Sequence, residues 1–269
     1  MDIKTHTADL LAGIRKTSPL VHNITNFVVM NSSANILLAI GASPVMAHCR
    51  TEVAEMASLA HALVVNIGTL DEQWVASMIL AAQTANKRNI PVILDPVGAG
   101  ATRLRTEMAQ KIMAEAKISV LRGNASEILS LRSSDVKTRG VDSSLAMSRE
   151  VADTAMSMAR EMDCIVAISG EKDSITDGGR MFFVSNGHPL MTRVTGIGCG
   201  LSAVTAAFCA AAEGDLLAAV AGAHGYYGLC GDLAIKVSNR PGSFFTAFLD
   251  MLYTAGPEDI HAGLKVDAS

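Results

Sequence analysis

Aromatic residues are scarce in this sequence, which has one Trp, three Tyr and seven Phe among 269 residues. Hydrophobic residues nevertheless make up 49% of the chain, and charged residues only 18%. A chain of this length can bury roughly three quarters of its surface on folding, so the composition predicts a large core of aliphatic side chains. No internal repeat, low-complexity tract or Pro/Ser-rich linker divides the sequence. We therefore expect one domain over residues 1–269.

Long runs of Lys or Arg are missing as well, and the formal net charge is −4. Because a protein that follows a phosphate backbone needs such a run, we expect no nucleic-acid partner. The N-terminal segment lacks the apolar core of a signal peptide. The most apolar stretch, residues 199–230, is interrupted by Glu213, Gly214 and Asp215. It predicts two buried helices rather than a membrane span, and we expect no membrane partner.

Closely spaced cysteine pairs are also absent. The five Cys residues are an odd number, and none belongs to a Cys-x-x-Cys motif. This pattern argues against a disulfide framework and against a structural zinc site. We expect free thiols in a reducing compartment, namely the cytoplasm.

Short apolar segments alternate with longer segments of helical periodicity. Continuous apolar runs are typical of strands that are covered on both faces, which predicts an α/β fold with a mostly parallel central sheet flanked by helices. A hairpin is expected at 174–187, and the C-terminal third should be mostly helical, ending in a capped helix near PGSFFTAFLDMLY. The four predicted core strands each end in turn-forming or polar residues: ALVVNIGTL (62–70), PVILDPVGAG (91–100), ISVLRGNAS (118–126) and CIVAISGEKD (164–173).

The ends of these four strands indicate where a ligand would bind. In an open parallel sheet, ligands bind beyond the carboxyl ends of the strands. The residues expected at that edge are largely polar: Asn66, Gly68, Thr69, Asp95, Pro96, Arg122, Gly123, Asn124, Glu127, Ser169, Gly170 and Glu171.

Neither of two common nucleotide-binding loops is present. The sequence has no GxxxxGK[ST] motif, and Gly196-x-Gly198-x-Gly200 does not have the GxGxxG spacing. The segment TGIGCG predicts instead a tight turn that enters a helix, whose free amides and dipole could bind an anion. Close helix packing would explain the glycines equally well. Cys199 falls in the predicted first turn, where a lowered pKa would give thiolate character, although a buried inert thiol is the alternative.

Two carboxylates and one arginine are the candidates for phosphate chemistry. Asp95 and Glu127 suit Mg²⁺, which prefers oxygen ligands and keeps substrate phosphates and waters. Glu127 follows Asn124 by three residues, so it could instead complete a helix cap. Arg122 follows an apolar run and needs an anion, either a phosphate or a structural carboxylate.

The segments SPLVHNITN and GASPVMAH supply further candidates near the N-terminus. Thr25 or Asn26 could cap the helix that follows the first segment. The second segment predicts a small strand, and its Met46 could be a core side chain.

Eight segments occur in an order that resembles the hydroxyethylthiazole kinases of thiamine salvage, over about residues 19–252: SPLVHNITN, GASPVMA, NIGTL, ILDPVGAGAT, RGNASEI, ISGEKD, MTRVTGIGCG and PGSF. The resemblance implies a ribokinase-like α/β fold without the β lid of sugar kinases. It also implies a homotrimer with active sites between subunits. The implied reaction is ATP-dependent phosphorylation of the hydroxyl of 4-methyl-5-(2-hydroxyethyl)thiazole, with Mg²⁺ required.

The same resemblance assigns roles to individual residues of this chain. Cys199 would be the catalytic residue, as a weak base or as a positioning group for the alcohol. Asn26 could reach the thiazole from an adjoining subunit. The other implied contacts are Met46 and Gly196 with the thiazole, Arg122, Ser169 and Gly198 with ATP and its phosphates, and Asp95 and Glu127 with Mg²⁺.

Three other functions remain open at this point. A related kinase could act on a hydroxymethylpyrimidine, and a regulatory protein could bind the nucleotide without turnover. A cysteine hydrolase could use Cys199 with His22 or His224, without ATP or Mg²⁺. The hydrolase would leave the charged residues at the strand ends without a role.

Overall fold

The structure is a computed structural model that describes residues 2–132 and 149–269. Its strands are β1 Leu20–Ile24, β2 Ser43–Val45, β3 Ala62–Asn66, β4 Val92–Asp95, β5 Val120–Asn124, β6 Ile165–Ser169, β7 Asp173–Thr176, β8 Met181–Val184 and β9 Val266–Ala268. They form one sheet in the order β2-β1-β3-β4-β5-β6-β7-β8-β9. The first six strands are parallel, and β7, β8 and β9 are added antiparallel.

Helices cover both faces of the sheet. They are α1 Ile3–Thr17, α2 Met30–Ile40, α3 Val53–Leu59, α4 Glu72–Lys87, α5 Arg103–Glu115, α6 Ala125–Ser130, α7 Arg149–Met162, α8 Ile197–Ala211, α9 Leu216–Val237, α10 Pro241–Thr254 and α11 Pro257–Gly263, with a 3₁₀ helix at Pro189–Arg193. One hydrophobic core lies between the sheet and α1, α2, α8, α9 and α10. A second lies between the sheet and α3, α4, α5, α6 and α7.

The central strands begin with continuous apolar residues because they contribute to both cores. In β3, Val64 faces the first core, whereas Leu63 and Val65 face the second. This alternation follows from the two-residue period of a strand. The expected parallel sheet, the four core strands and the 174–187 hairpin are therefore confirmed.

The predicted pair of apolar helices is also confirmed. Helix α8 ends at Ala211 and α9 begins at Leu216, with Asp215 as its N-cap. The Asp215 side chain accepts a hydrogen bond from the Ala218 amide, which explains why the interruption is polar. No helix in the described residues is both long and apolar enough to cross a membrane.

The C-terminal region differs from the expectation. Helix α10 starts with Pro241 at its first position, but its N-cap residue, Arg240, makes no side-chain capping bond. The chain then continues through α11 to β9, which pairs antiparallel with β8. Every strand of the described residues belongs to the one sheet, so this part of the chain carries no β lid.

Candidate active site

The parallel arrangement of the sheet gathers the predicted site residues at one edge. Because β1 to β6 are parallel, their carboxyl ends lie at the same edge, and helix α8 starts there too. The candidates at this edge are Asn26 after β1, Met46 after β2, Asp95 at the end of β4, Arg122 in β5, Glu127 in α6, Ser169 at the end of β6, and Gly196, Gly198 and Cys199 at the start of α8.

Arg122 is buried at the centre of this edge, with only 6% of its surface exposed. Its guanidinium donates to the Gly198 carbonyl and to Ser169 Oγ, both at 2.8 Å. The same group lies 3.9 Å from Asp95 Oδ2. Its Nε atom is buried and has no hydrogen-bond partner in the described residues. Arg122 therefore has a structural carboxylate nearby and still has a donor available for an anion.

Asp95 is also buried and sits in a set of hydrogen bonds. Its Oδ2 atom accepts from Asn66 Nδ2 at 2.8 Å and from Ser202 Oγ at 2.7 Å. Burial raises the pKa of Asp95 to about 6; Arg122 opposes this rise, whereas the nearby charge of Glu127 adds to it. The Asp95 carboxyl is thus held near the boundary between its neutral and ionised forms.

Glu127 forms the helix cap that its spacing from Asn124 predicts. The Asn124 side chain accepts from the Glu127 amide, and Glu127 Oε2 accepts from the Asn124 amide, both at 2.9 Å. Glu127 Oε1 accepts from the Gly98 amide in the loop after β4, again at 2.9 Å. Both carboxylate oxygens are therefore oriented by backbone donors. The capping role is confirmed, and the metal role stays a prediction.

The TGIGCG turn is a tight turn that enters a helix and packs closely, and its role in anion binding stays a prediction. Gly196 has a φ of +87°, and a Cβ there would lie 2.8 Å from Ser32 Oγ, so the turn requires glycine. A Cβ at Gly200 would meet the Tyr227 hydroxyl at 2.6 Å, so this glycine lets α8 pack closely against α9. Gly198 is exposed at the start of α8, where the first amides of a helix have no carbonyl partner within it.

Cys199 lies in the first turn of α8 as expected, but the expected lowering of its pKa is wrong. Burial, together with the negative charge of Asp95, raises the pKa of the thiol to about 11. Asn26 Nδ2 donates to Cys199 Sγ at 3.5 Å, which offsets only part of this rise. The effect of the helix N-terminus is outweighed, and the thiol keeps its proton at neutral pH.

Asn26 reaches Cys199 within the same chain. Its Nδ2 also donates to Asn66 Oδ1 at 2.8 Å, and its Oδ1 accepts from the Val28 amide at 3.1 Å. The expectation that Thr25 or Asn26 caps α2 is wrong, since the N-cap of that helix is Val29 and it makes no side-chain capping bond. The following segment instead turns back onto the Asn26 side chain.

Met46 directly follows the edge strand β2 and is half-buried. The small strand is thus confirmed. Because Met46 is not fully enclosed, it does not behave as an ordinary core side chain. Close by in the sequence, His48 packs on Trp74 with ring centres 4.3 Å apart, and Phe27 packs on the same ring at 4.8 Å.

The two histidines proposed for a cysteine hydrolase have other partners. His22 is buried and its Nε2 donates to the Ala47 carbonyl at 2.6 Å; burial lowers its pKa. His224 Nδ1 lies 2.7 Å from Asp173 Oδ2. Neither ring has a hydrogen bond with Cys199 in the described part of the chain. The site therefore has no Cys–His pair for nucleophilic catalysis.

The carboxylates present fit Mg²⁺ rather than a transition metal. Within residues 2–132 and 149–269, no cluster of three or more His, Cys, Asp or Glu side chains could hold a metal ion. Asp95 and Glu127 supply oxygen ligands alone, and Mg²⁺ commonly takes one or two carboxylates together with substrate phosphates and waters.

Three residues to which the sequence analysis assigned no contact support the site. Asn66, which was expected among the polar residues at the ligand-binding edge, links Asn26 to Asp95. Ser202 binds Asp95 from within the apolar helix α8, where nothing but its own polarity marks it. Arg105 binds loop carbonyls beside the site and belongs to no recognisable motif in the sequence.

Known proteins of one family are similar to this chain over almost its whole length. A family model described as the hydroxyethylthiazole kinase family matches residues 11–258. A hydroxyethylthiazole kinase of Desulfotalea psychrophila is 54% identical over 268 residues, which cover 100% of this chain and 97% of that protein. The solved structure of a hydroxyethylthiazole kinase protein from Pyrococcus horikoshii OT3 is 42% identical, with a TM-score of 0.89 over 98% of this chain and 99% of the other.

A more distant structural neighbour supports the fold alone. A ribokinase-like superfamily protein from Enterococcus faecalis is 13% identical, with a TM-score of 0.64 over 94% of this chain and 95% of the other. The ribokinase-like fold is therefore confirmed. The family match excludes the hydrolase and regulatory alternatives, because it places the chain among kinases. By sequence and by structure, the chain belongs to the hydroxyethylthiazole kinase family.

Proposed function

We propose that this chain transfers the terminal phosphoryl group of ATP to the hydroxyl of 4-methyl-5-(2-hydroxyethyl)thiazole, giving the thiazole phosphate and ADP. The alcohol oxygen forms a bond to the terminal phosphorus, the bond from that phosphorus to the ADP oxygen breaks, and the hydroxyl proton is released to solvent water. Such a transfer has a loose transition state. The protein therefore has mainly to align the reactants and to balance negative charge.

The phosphates of ATP would bind between β5, β6 and α8. Arg122 and Ser169 would contact them directly, and the amide of Gly198 would point at them from the start of α8. The observation that carries the proposal is the buried Arg122 guanidinium. It lies between Gly198 and Ser169, and its Nε donor has no partner in the part of the chain that the structure describes.

Asp95 and Glu127 would hold Mg²⁺, which neutralises charge on the transferred phosphoryl group when it is bound. Each carboxylate is already oriented by other groups of the chain. Asn66 and Ser202 fix Asp95, and backbone amides fix Glu127. This preorganisation reduces the cost of assembling the site.

The thiazole alcohol would bind on the side of the site opposite the ATP phosphates, near Met46, Gly196 and Asn26. Cys199 would then contact the hydroxyl. Because burial raises the pKa of Cys199 to about 11, the thiol cannot accept a proton at neutral pH. We propose that it orients the alcohol rather than acting as a base.

We further propose a cytoplasmic homotrimer, each chain being one domain over residues 1–269. Phe27 and Val28 support an assembly, since both are apolar, follow Asn26 directly and are 64% and 63% exposed. All five cysteines are free, which agrees with a reducing compartment.

An ADP-release assay tests the reaction. The purified chain is given ATP with the thiazole alcohol or with a hydroxymethylpyrimidine, each with and without Mg²⁺. We expect ADP with the thiazole alcohol and Mg²⁺ only. ADP formation with the pyrimidine alone would overturn the substrate assignment, and full activity without a divalent cation would overturn the metal assignment.

A further inference from the structure

Arg105 occupies an unusual electrostatic position beside the candidate site. It lies in the first turn of α5, where a cation is disfavoured by the helix dipole. Within the described residues, no carboxylate lies within ion-pair distance of its half-buried guanidinium. A positive charge held without a carboxylate at such a place needs another physical reason.

The guanidinium binds two separate loops through their backbone. Its Nη1 donates to the Val97 carbonyl at 2.7 Å and to the Ile67 carbonyl at 3.2 Å, and its Nη2 donates to the Gly68 carbonyl at 2.7 Å. Ile67 and Gly68 follow β3, whereas Val97 follows β4. One planar, five-donor group thus ties together the loops at two adjacent strand ends, which a lysine could not do with the same geometry.

Each of these loops contacts a different part of the candidate site. Gly68 lies against Asn26, because a Cβ at Gly68 would be 2.6 Å from Asn26 Nδ2. Asn26 in turn donates to Cys199. In the other loop, Gly98 packs on the Arg105 side chain, since a Cβ added at Gly98 would lie 3.0 Å from Arg105 Cδ. The Gly98 amide donates to Glu127 Oε1.

The other half of the candidate site is held together by different hydrogen bonds. Arg122, Ser169 and Gly198 are connected to one another through β5, β6 and α8. Among the described residues, no side-chain hydrogen bond of Arg105 reaches these elements. The two halves should therefore respond differently when the Arg105 guanidinium is changed.

We propose that Arg105 is a positioning residue that fixes the alcohol and Mg²⁺ half of the site. Through the Gly68 loop it sets the place of Asn26 and hence the surroundings of the Cys199 thiol. Through the Gly98 loop it sets the place of the Glu127 carboxylate. This inference rests on the proposed function for its kinetic consequence, but the effect on the two loops does not depend on the substrate.

The test compares Arg105→Lys and Arg105→Gln with Arg103→Lys and Arg103→Gln. Arg103 is a matched control in the same helical turn. Its side chain is 90% exposed, and among residues 2–132 and 149–269 its ion pair is with Glu107 at 2.6 Å. All variants are first checked by thermal unfolding. Amide hydrogen exchange is then measured without ligands over residues 66–70 and 96–100, followed by steady-state kinetics.

We expect faster amide exchange in both segments for the Arg105 variants. For the Arg103 variants, the exchange rates should not change. The kcat/KM for the thiazole alcohol should fall about 10- to 100-fold, and the Mg²⁺ concentration for half-activation should rise by a similar factor. The KM for ATP at saturating Mg²⁺ should change by no more than about twofold.

Two results would overturn the inference. One is unchanged exchange in both segments for Arg105→Lys and Arg105→Gln. The other is a rise in the KM for ATP as large as the loss with the thiazole alcohol, since this would indicate general disruption. If the unaltered chain shows no turnover with the thiazole alcohol, the proposed function fails, while the exchange data still decide the role of Arg105 in the loops.

Discussion

Asp95 and Cys199 show how burial alters the chemistry of single residues at this site. Each is an acid that is harder to ionise than in water, with the pKa of Asp95 near 6 and that of Cys199 near 11. Arg122 favours the ionised form of both groups, but desolvation is the larger effect. A site built in this way is stabilised by a cation that binds the carboxylate.

The raised pKa of Asp95 predicts a pH-dependent cost in stability. Below about pH 4 its carboxyl is protonated in both folded and unfolded chains. Between about pH 4 and 6 only the unfolded chain has ionised, so the free energy of unfolding should fall as pH rises through this range and then level off. At pH 7 to 8 the cost corresponds to about 3 kcal/mol.

The substitution Asp95→Asn should remove the loss of unfolding free energy that ionisation of Asp95 causes. In urea unfolding without Mg²⁺ or nucleotide, its stability relative to the unaltered chain should grow from pH 4 to pH 6. Asp163→Asn is the control, because Lys117 lowers the pKa of this exposed carboxylate and no such gain is expected. A stability difference for Asp95→Asn that does not depend on pH would contradict the prediction.

Gly196→Ala should destabilise the chain because of both its backbone and its surroundings. The residue has a φ of +87°, and the added Cβ would lie 2.8 Å from Ser32 Oγ. We expect a loss of about 1 to 3 kcal/mol in the free energy of unfolding. Gly13→Ala, in the interior of α1 with nothing within 4 Å of the new Cβ, should instead gain up to about 1 kcal/mol. Equal effects of the two substitutions would argue against strain at the turn.

At the scale of elements, α6 shows that one side chain can serve a cap and a candidate metal site together. Glu127 closes the capping box with Asn124 and also binds the Gly98 amide across the two loops. Its two oxygens thus connect β4, β5 and α6 at the edge of the sheet. The sequence spacing predicted the cap, whereas the contact with Gly98 depends on the parallel sheet.

Glu127→Gln separates these two roles. A glutamine can accept from only one of the two backbone amides, so we expect a loss of about 1 kcal/mol in unfolding free energy. Phosphorylation activity should fall far more, about 10- to 100-fold, with a higher Mg²⁺ requirement.

Asp71→Ala is the control for loss of a cap alone, since Asp71 caps α4 by accepting from the Trp74 amide. It should show a comparable loss of stability with little loss of activity. If Glu127→Gln lost no more activity than Asp71→Ala, the role of Glu127 would be limited to the cap.

At the scale of the whole molecule, exposed apolar side chains next to the site predict an interface between subunits. Val28→Glu should dissociate the proposed trimer, because a carboxylate would have to be buried there. Val237→Glu is a matched control, since Val237 is 66% exposed against 63% for Val28 and lies at the end of α9. Light scattering after size exclusion measures the number of subunits in the assembly. The ADP assay measures how dissociation changes the activity. A trimer that survives Val28→Glu would place the interface elsewhere.

The central architecture could be predicted from the sequence because a strand that is buried on both faces is apolar at consecutive positions. Strand β3 is apolar at every position before Asn66, and its polar end marks the functional edge. Strand β9 has no such apolar run. It has three residues, two of them exposed, and it exists because β8 offers an unpaired edge.

The sequence by itself determined the parallel sheet, the start of α8 at TGIGCG and the cap of α6, since each depends on residues that are neighbours along the chain. Only the tertiary structure decided the state of the Cys199 thiol and the supporting roles of Asn66, Ser202 and Arg105. Asn26 and Cys199 are 173 positions apart in sequence, and Ser202 and Asp95 are 107 apart. Desolvation and charge at a site come from all the chain segments that pack around it, and no local pattern records which segments those are.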